Sequence, residues 1–199
     1  MTDTESLADA LAALSAEDQA RVREYVAFLR WRSDHTTVAI EAPAAEQLWR
    51  FSFLEHFGEA AISASRDARG MEVKIGEAAV GGERRPALWL HPPVLGEAIV
   101  EFHAPIPISL RKSGVRLRFS IGIRDGAQAN DGLVAFRVRV DGWQVWSRAA
   151  WPVAWQPFEI SLPFQAGNIL RLAFATDALG SHPFAWAVWA EPELIGVAD

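Results

Sequence analysis

The stretch that decides the fold is residues 131–146, DGLVAFRVRVDGWQVW. Apolar and polar or small side chains alternate through it, a period of two that is typical of a β-strand with one buried face. The apolar positions are Val134, Phe136, Val138 and Val140. An Asp-Gly pair at 141–142 follows, which is a strong signal for a tight turn. We therefore predict a strand that ends in a hairpin turn, with Trp143 near the hairpin tip.

The same period recurs along most of the chain from about residue 60. Further alternating segments cover 116–123, 158–162 and 170–174. Turn signals lie at 124–126, 130–132 and 166–168. Several antiparallel strands without intervening helices predict a mainly β protein, with the architecture of a sandwich or jelly roll.

The N-terminal part has a helical period instead. We predict two short helices within residues 1–33 and a linker over 34–45, where the helical pattern stops. The apolar stripe of the helices is Leu7, Leu11, Leu14, Val22, Tyr25, Val26 and Leu29. Helices this short need tertiary packing, so we expect this docking face to be covered by the sandwich, by a second copy or by another protein.

The β-sandwich domain is predicted over residues 46–199 and is expected to open with a short helix. Residues 46–58 carry apolar side chains at helical spacing. A strand is the alternative here, because Trp49, Phe51 and Phe53 alternate.

Composition limits the classes of function. The chain has 199 residues, a formal net charge of −6 and no cysteine. The negative charge argues against a nucleic-acid partner, and the lack of cysteine excludes disulfides and thiolate metal sites. The N-terminus lacks the features of a secretory signal and no run is long enough to span a membrane, so we expect a cytoplasmic protein.

Five segments in order suggest a family. They read RPALWLHPP, LRFSIGIRDG, DGLVAFRVRVDGWQVW, WQPFEISLPFQAGNILRLAFATD and AWAVWAEPEL. Over about residues 85–195 the chain resembles galactose-binding-like jelly-roll modules and is similar to carbohydrate-associated modules of the NPCBM type. The resemblance implies an antiparallel jelly-roll sandwich. Its motif residues are mostly core and turn positions, so it transfers no binding site.

No catalytic motif is present: the sequence has no nucleophile elbow, phosphate-binding loop or zinc-binding helix. His91, before Pro92-Pro93, is either a ligand contact or a histidine whose ring nitrogens bind nearby backbone. An enzyme with a dispersed active site is therefore only our third hypothesis, and we predict that the protein is not an enzyme.

A structural calcium ion is the one cofactor considered, since no other cofactor is implied. Asp125, Asn130 and Asp131 offer hard oxygen ligands, and many galactose-binding-like sandwiches hold such an ion. The alternative is that these residues are ordinary turn formers.

Five arginines lie on the polar phase of their strands: Arg116, Arg118, Arg137, Arg139 and Arg171. If the strands are neighbours, one sheet face carries five guanidinium groups, and an acidic segment, partner or ligand should face them. The alternative is a solvated face with glutamate partners such as Glu159.

Trp143 and Trp151 are candidates for exposed contacts with a sugar or a protein. Trp146 and Trp155 in the same stretch are expected to pack at the edge of the sandwich.

Together these features predict a non-catalytic interaction or assembly protein, whose partner is a second copy or another protein. A carbohydrate-binding module is the alternative.

Overall fold

The computed structural model describes residues 47–110, 114–127, 132–164, 167–180 and 183–197, together with Ala12, Leu14, Ser15, Gln19, Val22 and Val26. The chain divides into two compact units, Met1–Thr36 and Thr37–Asp199. The predicted N-terminal helices lie largely, and the linker wholly, outside the described residues, so both stay predictions. No helix among the described residues is long and apolar enough to cross a membrane.

The described residues of the second unit form eleven strands in two antiparallel sheets. In chain order the strands are β1 Gln47–Ser52, β2 Ala61–Ala64, β3 Glu72–Val80, β4 Glu83–His91, β5 Glu97–Pro105, β6 Gly114–Ile123, β7 Leu133–Val140, β8 Trp143–Ala150, β9 Gln156–Ser161, β10 Ile169–Leu179 and β11 Ala187–Val197. Two 3₁₀ turns, Phe57–Glu59 and Ile108–Leu110, are the other regular elements in this part.

One sheet has the strand order β3-β4-β11-β6-β9, with β1 also paired to β11. The other has the order β2-β5-β10-β7-β8. We call them the six-stranded and the five-stranded sheet. Every strand predicted from the period of two is present, and the mainly β architecture is confirmed.

The Asp-Gly signal forms the predicted hairpin between β7 and β8. Asp141 and Gly142 have φ values of 50° and 85°, the left-handed conformation that both central residues of a type I′ turn require. Trp143 begins β8 and pairs with Val140, so it lies at the hairpin as predicted.

The predicted short helix over 46–58 is wrong. Residues 47–52 form β1, which pairs antiparallel with Glu193–Val197 of β11. The alternation of Trp49, Phe51 and Phe53 explains the strand, because it places Phe51 and Phe53 in the core at 6% and 0% exposure. Helical spacing and strand alternation are both present in this segment. The strand forms because β4 pairs only with residues 188–190 of β11, so that residues 193–197 remain available to pair with β1.

The two sheets pack face to face around an aromatic core. Trp189 of β11 is fully buried at its centre. Its ring lies 5.1 Å from Phe119 in its own sheet and 5.4 Å and 5.0 Å from Phe136 and Phe174 in the other. Each buried aromatic of this kind contributes roughly 1.5–3 kcal/mol through the hydrophobic effect.

A smaller apolar cluster lies on the outer face of the six-stranded sheet. Val80 near the end of β3 packs so closely over Gly122 of β6 that a Cβ on Gly122 would lie 2.7 Å from it. The β3–β4 turn is tied down there by Asp125, whose carboxylate accepts the N–H groups of Gly81 and Gly82 at 2.7 Å and 2.9 Å. The β3–β4 hairpin therefore curls over the outer face of its own sheet at the turn end, whereas Glu72 lies at the opposite end of β3.

Candidate functional site

The five strand arginines do not share one face, so this prediction is wrong. Arg116 and Arg118 belong to β6 in the six-stranded sheet, whereas Arg137, Arg139 and Arg171 belong to β7 and β10 in the five-stranded sheet. Their apolar neighbours in sequence fill the shared core. The arginines consequently lie on the two opposite outer faces of the sandwich.

Each of these arginines has a carboxylate partner. On β6, Arg116 and Arg118 both bind Glu159 of β9, with N–O distances of 2.6 Å. Burial opposes ionisation of Glu159, but the hydrogen bonds from the two guanidinium groups outweigh it and lower the pKa of this carboxyl. The arrangement matches the alternative in which a solvated face carries glutamate partners.

The five-stranded sheet repeats the pattern. Glu97 accepts hydrogen bonds from Arg137 at 2.6 Å and from Arg139 at 2.7 Å. Glu101 pairs with Arg171 at 3.1 Å. We refer to these two sets and the Glu159 set as the ion-pair ladders. Every arginine of the ladders has an acidic partner, so these arginines require no external ligand.

The predicted tryptophan contacts differ from each other. Trp143 is 38% exposed, whereas Trp151 is half-buried against the main core. Trp146 packs into the core with its ring 4.9 Å from Phe119. The Trp155 indole donates a hydrogen bond to the carbonyl of Glu83. Of the four, only Trp143 presents much surface.

The calcium candidates do not assemble among the described residues. Asp125 uses both carboxylate oxygens to bind the Gly81–Gly82 turn, which is the turn chemistry given as the alternative. Asn130 and Asp131 lie outside the described residues. Within the described part of the chain, no group of three histidine, cysteine or acidic side chains is placed to hold a metal ion.

The predicted helical docking face is described at three positions. Leu14 and Val26 are 38% and 40% exposed, and Val22 is half-buried. Leu7, Leu11, Tyr25 and Leu29 fall outside the described residues. The docking role therefore stays a prediction.

A different cluster of side chains stands at one end of the outer face of the six-stranded sheet. Neighbouring strands supply it in order, because β3, β4, β11 and β6 lie side by side. We call it the Trp89 site and define it as Glu72, Lys74, Trp89, His91, Arg124 and Trp186.

Register explains why these residues meet. Glu72 is directly opposite His91, and Lys74 is directly opposite Trp89. Arg124 follows the last residue of β6, and its N–H donates to the carbonyl of Trp186 at 3.0 Å. Opposed residues in a sheet share a face, so the four strand residues project from the same side. Ring contacts of Arg124 with Trp89 and of Trp186 with His91 place these two residues on that side as well.

Trp89 is contacted by two cations. The Lys74 ammonium lies 4.0 Å and the Arg124 guanidinium carbon 3.6 Å from the centroid of its ring. Lys74 belongs to β3 on one side of β4, and Arg124 follows β6, which lies on the other side of β4. Gly76 of β3 leaves room for the indole edge, since a Cβ there would lie 4.0 Å from the Trp89 Nε1. Such cation–π contacts stabilise by about 0.5–2 kcal/mol each.

Trp186 extends the aromatic surface towards the loops. Its ring stacks at 20° and 6.5 Å on His91, which stacks at 25° and 5.7 Å on Trp89. Phe184 lies 5.5 Å from the other end of this row. Phe184 has a left-handed φ of 65°, which costs a non-glycine residue about 1 kcal/mol or more. Backbone strain of this kind clusters at binding sites.

His91 is buried and only half-satisfied. Its Nδ1 lies 3.1 Å from a Glu72 carboxylate oxygen, whereas its Nε2 is buried and has no hydrogen-bond partner among the residues that the structure describes. Burial lowers the pKa of His91 to about 4, although Glu72 opposes the shift. The imidazole is therefore neutral near pH 7, with the proton on the Nδ1 that faces the carboxylate. Neither ring nitrogen binds backbone, unlike the structural alternative predicted for His91.

Glu72 binds a second group within the site. Its other oxygen lies 2.6 Å from the Lys74 ammonium. The hydrogen bond from Lys74 is the main reason that the pKa of Glu72 is lowered. One carboxylate thus serves both Lys74 and His91.

Arg124 is left without a carboxylate among the described residues. It is half-buried, and its contacts are with aromatic rings, at 3.6 Å from the Trp89 centroid and 5.3 Å from that of Trp186. Burial lowers the pKa of Arg124, and the distant charge of Glu72 only partly offsets this. The site therefore combines half-exposed indole surface with a cation whose hydrogen-bond donors are not used by an acidic side chain.

The sequence pattern contains one signal for this site. Trp89 lies between the core residues Leu88 and Leu90, so alternation places its large ring on the outer face. Arg124 and Trp186 lie just beyond strand ends, where alternation makes no prediction. Their meeting with Trp89 depends on strand order, which the sequence did not reveal.

Comparisons with solved structures find several carbohydrate-binding modules of similar fold. The CBM51 module of Clostridium perfringens GH95, in complex with methyl-galactose, has a TM-score of 0.49 and 11% identity, covering 73% of this chain and 99% of that one. The CBM22-1 xylan-binding domain of Paenibacillus barcinonensis Xyn10C has a TM-score of 0.46 and 13% identity, with 79% and 99% coverage.

A family 11 carbohydrate-binding module of Clostridium thermocellum, in complex with a β-1,3-1,4-mixed-linked tetrasaccharide, has a TM-score of 0.45 and 13% identity, with 79% and 99% coverage. No family model and no curated protein matches the sequence. The structural neighbours are jelly-roll domains of the class that the sequence resemblance indicated.

Proposed function

We propose that the sandwich is a carbohydrate-binding module and that its ligand binds at the Trp89 site. The observation that carries the proposal is the row of half-exposed aromatic rings, Trp89 and Trp186, with charged side chains on its borders. Sugars present apolar C–H faces and polar hydroxyl edges, and such a row offers a complement to both. The solved carbohydrate-binding modules of similar fold are in keeping with this reading.

Trp186 is the stacking surface in this proposal. Both flanks of Trp89 are approached by cations, so its ring serves mainly to hold Lys74 and Arg124 in place. Trp186 contacts a guanidinium only at 5.3 Å and lies next to the loops. Glu72, Lys74 and Arg124 then surround a sugar on Trp186 with hydrogen-bond donors and acceptors.

The rigid scaffold favours binding without rearrangement. The site residues lie on or immediately beside paired strands, and the neighbouring loop is held by the hydrogen bonds of Asp125 to the β3–β4 turn. Preorganised side chains lose little conformational entropy on binding. We therefore propose binding rather than catalysis as the function of this face.

The test is a titration of the full chain with a panel of mono- and oligosaccharides. Calorimetry and tryptophan fluorescence monitor the binding. We expect saturable binding of at least one sugar, and we expect Trp186→Ala to weaken it about tenfold or more, the usual cost of losing a central aromatic contact.

Trp143→Ala is the matched control. It also removes one partly exposed indole, but from the β7–β8 hairpin at the far end of β7. Circular dichroism and thermal unfolding establish that both variants fold. Loss of binding in Trp143→Ala but not in Trp186→Ala places the site elsewhere, and no saturable binding to any sugar overturns the proposed function.

The assembly role predicted from the N-terminal apolar stripe is a separate question. A sizing measurement by light scattering on the full chain and on residues 46–199 tests it. A defined oligomer that becomes a monomer on truncation would support assembly, and two monomers would exclude self-association through this stripe.

A further inference from the structure

We infer that the Trp89 site selects sugars that carry a carboxylate, with Arg124 as the residue that binds the acid group. The inference rests on the proposed function, because it specifies the ligand of the same site. The inference follows from which charged side chains of the site are paired with each other and which are not.

Arg124 differs from the other half-buried arginines in having no carboxylate. Arg137 and Arg139 have side chains that are 20% and 24% exposed, and each lies within 2.7 Å of a Glu97 oxygen. Arg124 is also half-buried, yet no acidic oxygen lies within 4.0 Å of it in the described part of the chain. Removing a guanidinium from water without an anionic partner is unfavourable, so an arriving carboxylate is stabilised there.

The acidic residues that lie nearest are already committed. Glu72 binds Lys74 at 2.6 Å and His91 at 3.1 Å. Asp125 is adjacent to Arg124 in sequence, but its two oxygens bind the N–H groups of the Gly81–Gly82 turn. The fold thus turns the one adjacent carboxylate away from Arg124 and leaves the guanidinium to a ligand.

The preference for an acid comes from the pairing of these groups and not from the net charge around them. Lys74 is paired with Glu72 at 2.6 Å, and Asp125 adds a second carboxylate next to Arg124 in the chain. His91 adds no charge near pH 7, because burial lowers its pKa to about 4. Arg124 is thus the charged group of the site whose hydrogen-bond donors remain open to a ligand in the described part of the chain.

The position of Arg124 fits an acid group on a stacked sugar. Its guanidinium contacts Trp89 at 3.6 Å and is 5.3 Å from the Trp186 centroid. A pyranose on Trp186 therefore has the guanidinium at its edge, where the C6 substituent of a uronic acid projects. A planar guanidinium can bind both oxygens of such a carboxylate at once.

The experiment uses pairs of sugars that differ only at C6: galacturonic acid with galactose, and glucuronic acid with glucose, as monomers and as short oligomers. We expect at least one acid to bind the full chain about tenfold or more tightly than its neutral partner, the usual strength of a hydrogen bond to a charged group. We expect the preference to shrink as the ionic strength rises from about 0.02 M to about 0.5 M.

Variants separate Arg124 from the rest of the site. Arg124→Gln should weaken binding of the acid about tenfold or more and binding of the neutral sugar much less, so that the preference for the acid disappears. Arg124→Lys keeps the charge but not the planar fork, so it should retain part of the preference. Arg171→Gln, an arginine of a ladder, is the matched control and should change nothing.

The outcomes distinguish this inference from the proposed function. If neutral sugars bind in a Trp186-dependent manner and acids bind no more tightly, the inference is overturned and the proposed function stands. If acids are preferred but Arg124→Gln keeps the full preference, the assignment to Arg124 is wrong. If no sugar of either kind binds, the proposed function fails and this inference fails with it.

Discussion

The ion-pair ladders and the Trp89 site use arginine in opposite ways. In the ladders, the sheet brings an acidic residue within reach of each arginine. Arg118 of β6 is directly opposite Glu159 of β9, and Arg139 of β7 reaches Glu97 of β5 across the intervening strand β10. Arg124 lies just past the end of β6, where no strand residue opposes it, and it packs on indole rings instead. A strand arginine finds its partner through the sheet, whereas an arginine at a strand end depends on what the loops and ligands supply.

The same contrast extends to the other polar groups. In the ladders the charged groups are paired. Within the described part of the chain, the Trp89 site contains Nε2 of His91 without a hydrogen-bond partner and Arg124 without a carboxylate. Stability should therefore respond differently to pH and to substitution in the two regions.

Acid should destabilise the protein through His91. Its pKa is about 4 in the folded chain, against about 6.5 when unfolded, so the unfolded state binds more protons between these values. The stabilisation is present above pH 6.5 and is lost as the pH falls towards 4, for a total of about 3 kcal/mol. Denaturant unfolding at pH 7, 6 and 5 measures it, because most of this range lies above the titration of ordinary carboxyl groups.

His91→Gln provides the control for this pH dependence. The variant removes the titrating group, so its free energy of unfolding should vary little over the same range, whatever its value at pH 7. An unchanged slope in the variant would show that another group is responsible.

Glu97→Gln should cost about 2 kcal/mol of stability. The substitution leaves Arg139, whose side chain is 24% exposed, without its carboxylate and Arg137, which is 20% exposed, with only the longer 3.4 Å pair to Asp177. Glu101→Gln is the comparison, since its partner Arg171 is 54% exposed and solvent screens that pair, so its loss should stay below about 1 kcal/mol. Equal losses in urea denaturation would contradict the distinction between buried and exposed ladders.

Glu159→Gln should have an intermediate effect of about 1 kcal/mol. Both partners, Arg116 and Arg118, are 37% and 45% exposed, so water replaces much of the lost interaction. Salt should reduce the difference from the wild type, because surface charges are screened. A loss that is independent of salt would indicate that Glu159 contributes through packing and not through charge.

The sequence predicted most of the fold because alternation is a local property. The strands around Phe119, Phe136 and Phe174 were all predicted from the period of two. The error in β1 arose where the same apolar residues satisfied both periods. There the choice depended on pairing with β11, which lies more than 130 residues away in the chain.

The site was much less predictable because it depends on strand order. Arg116 and Arg137 have the same local pattern, yet strand order places them on opposite faces of the sandwich. Trp89 and Trp186 are about one hundred residues apart and meet only because β4 and β11 are neighbours. The sequence pattern showed on which side of its strand each residue lies, but it did not show which strand is adjacent.

Arg124→Gln should change stability least, and this prediction separates the two uses of arginine most directly. Losing the guanidinium removes its contact with Trp89, which stabilises by about 0.5–2 kcal/mol, but it also removes the cost of burying a cation with no carboxylate beside it. These terms oppose each other, so we expect the free energy of unfolding to stay within about 1 kcal/mol of the wild-type value. Measured by denaturant unfolding without sugar, a loss well above 2 kcal/mol would show that Arg124 holds the indole rings in place, as the ladder arginines hold their sheets. A near-zero change combined with loss of acid binding would show that the protein keeps this arginine for its ligand.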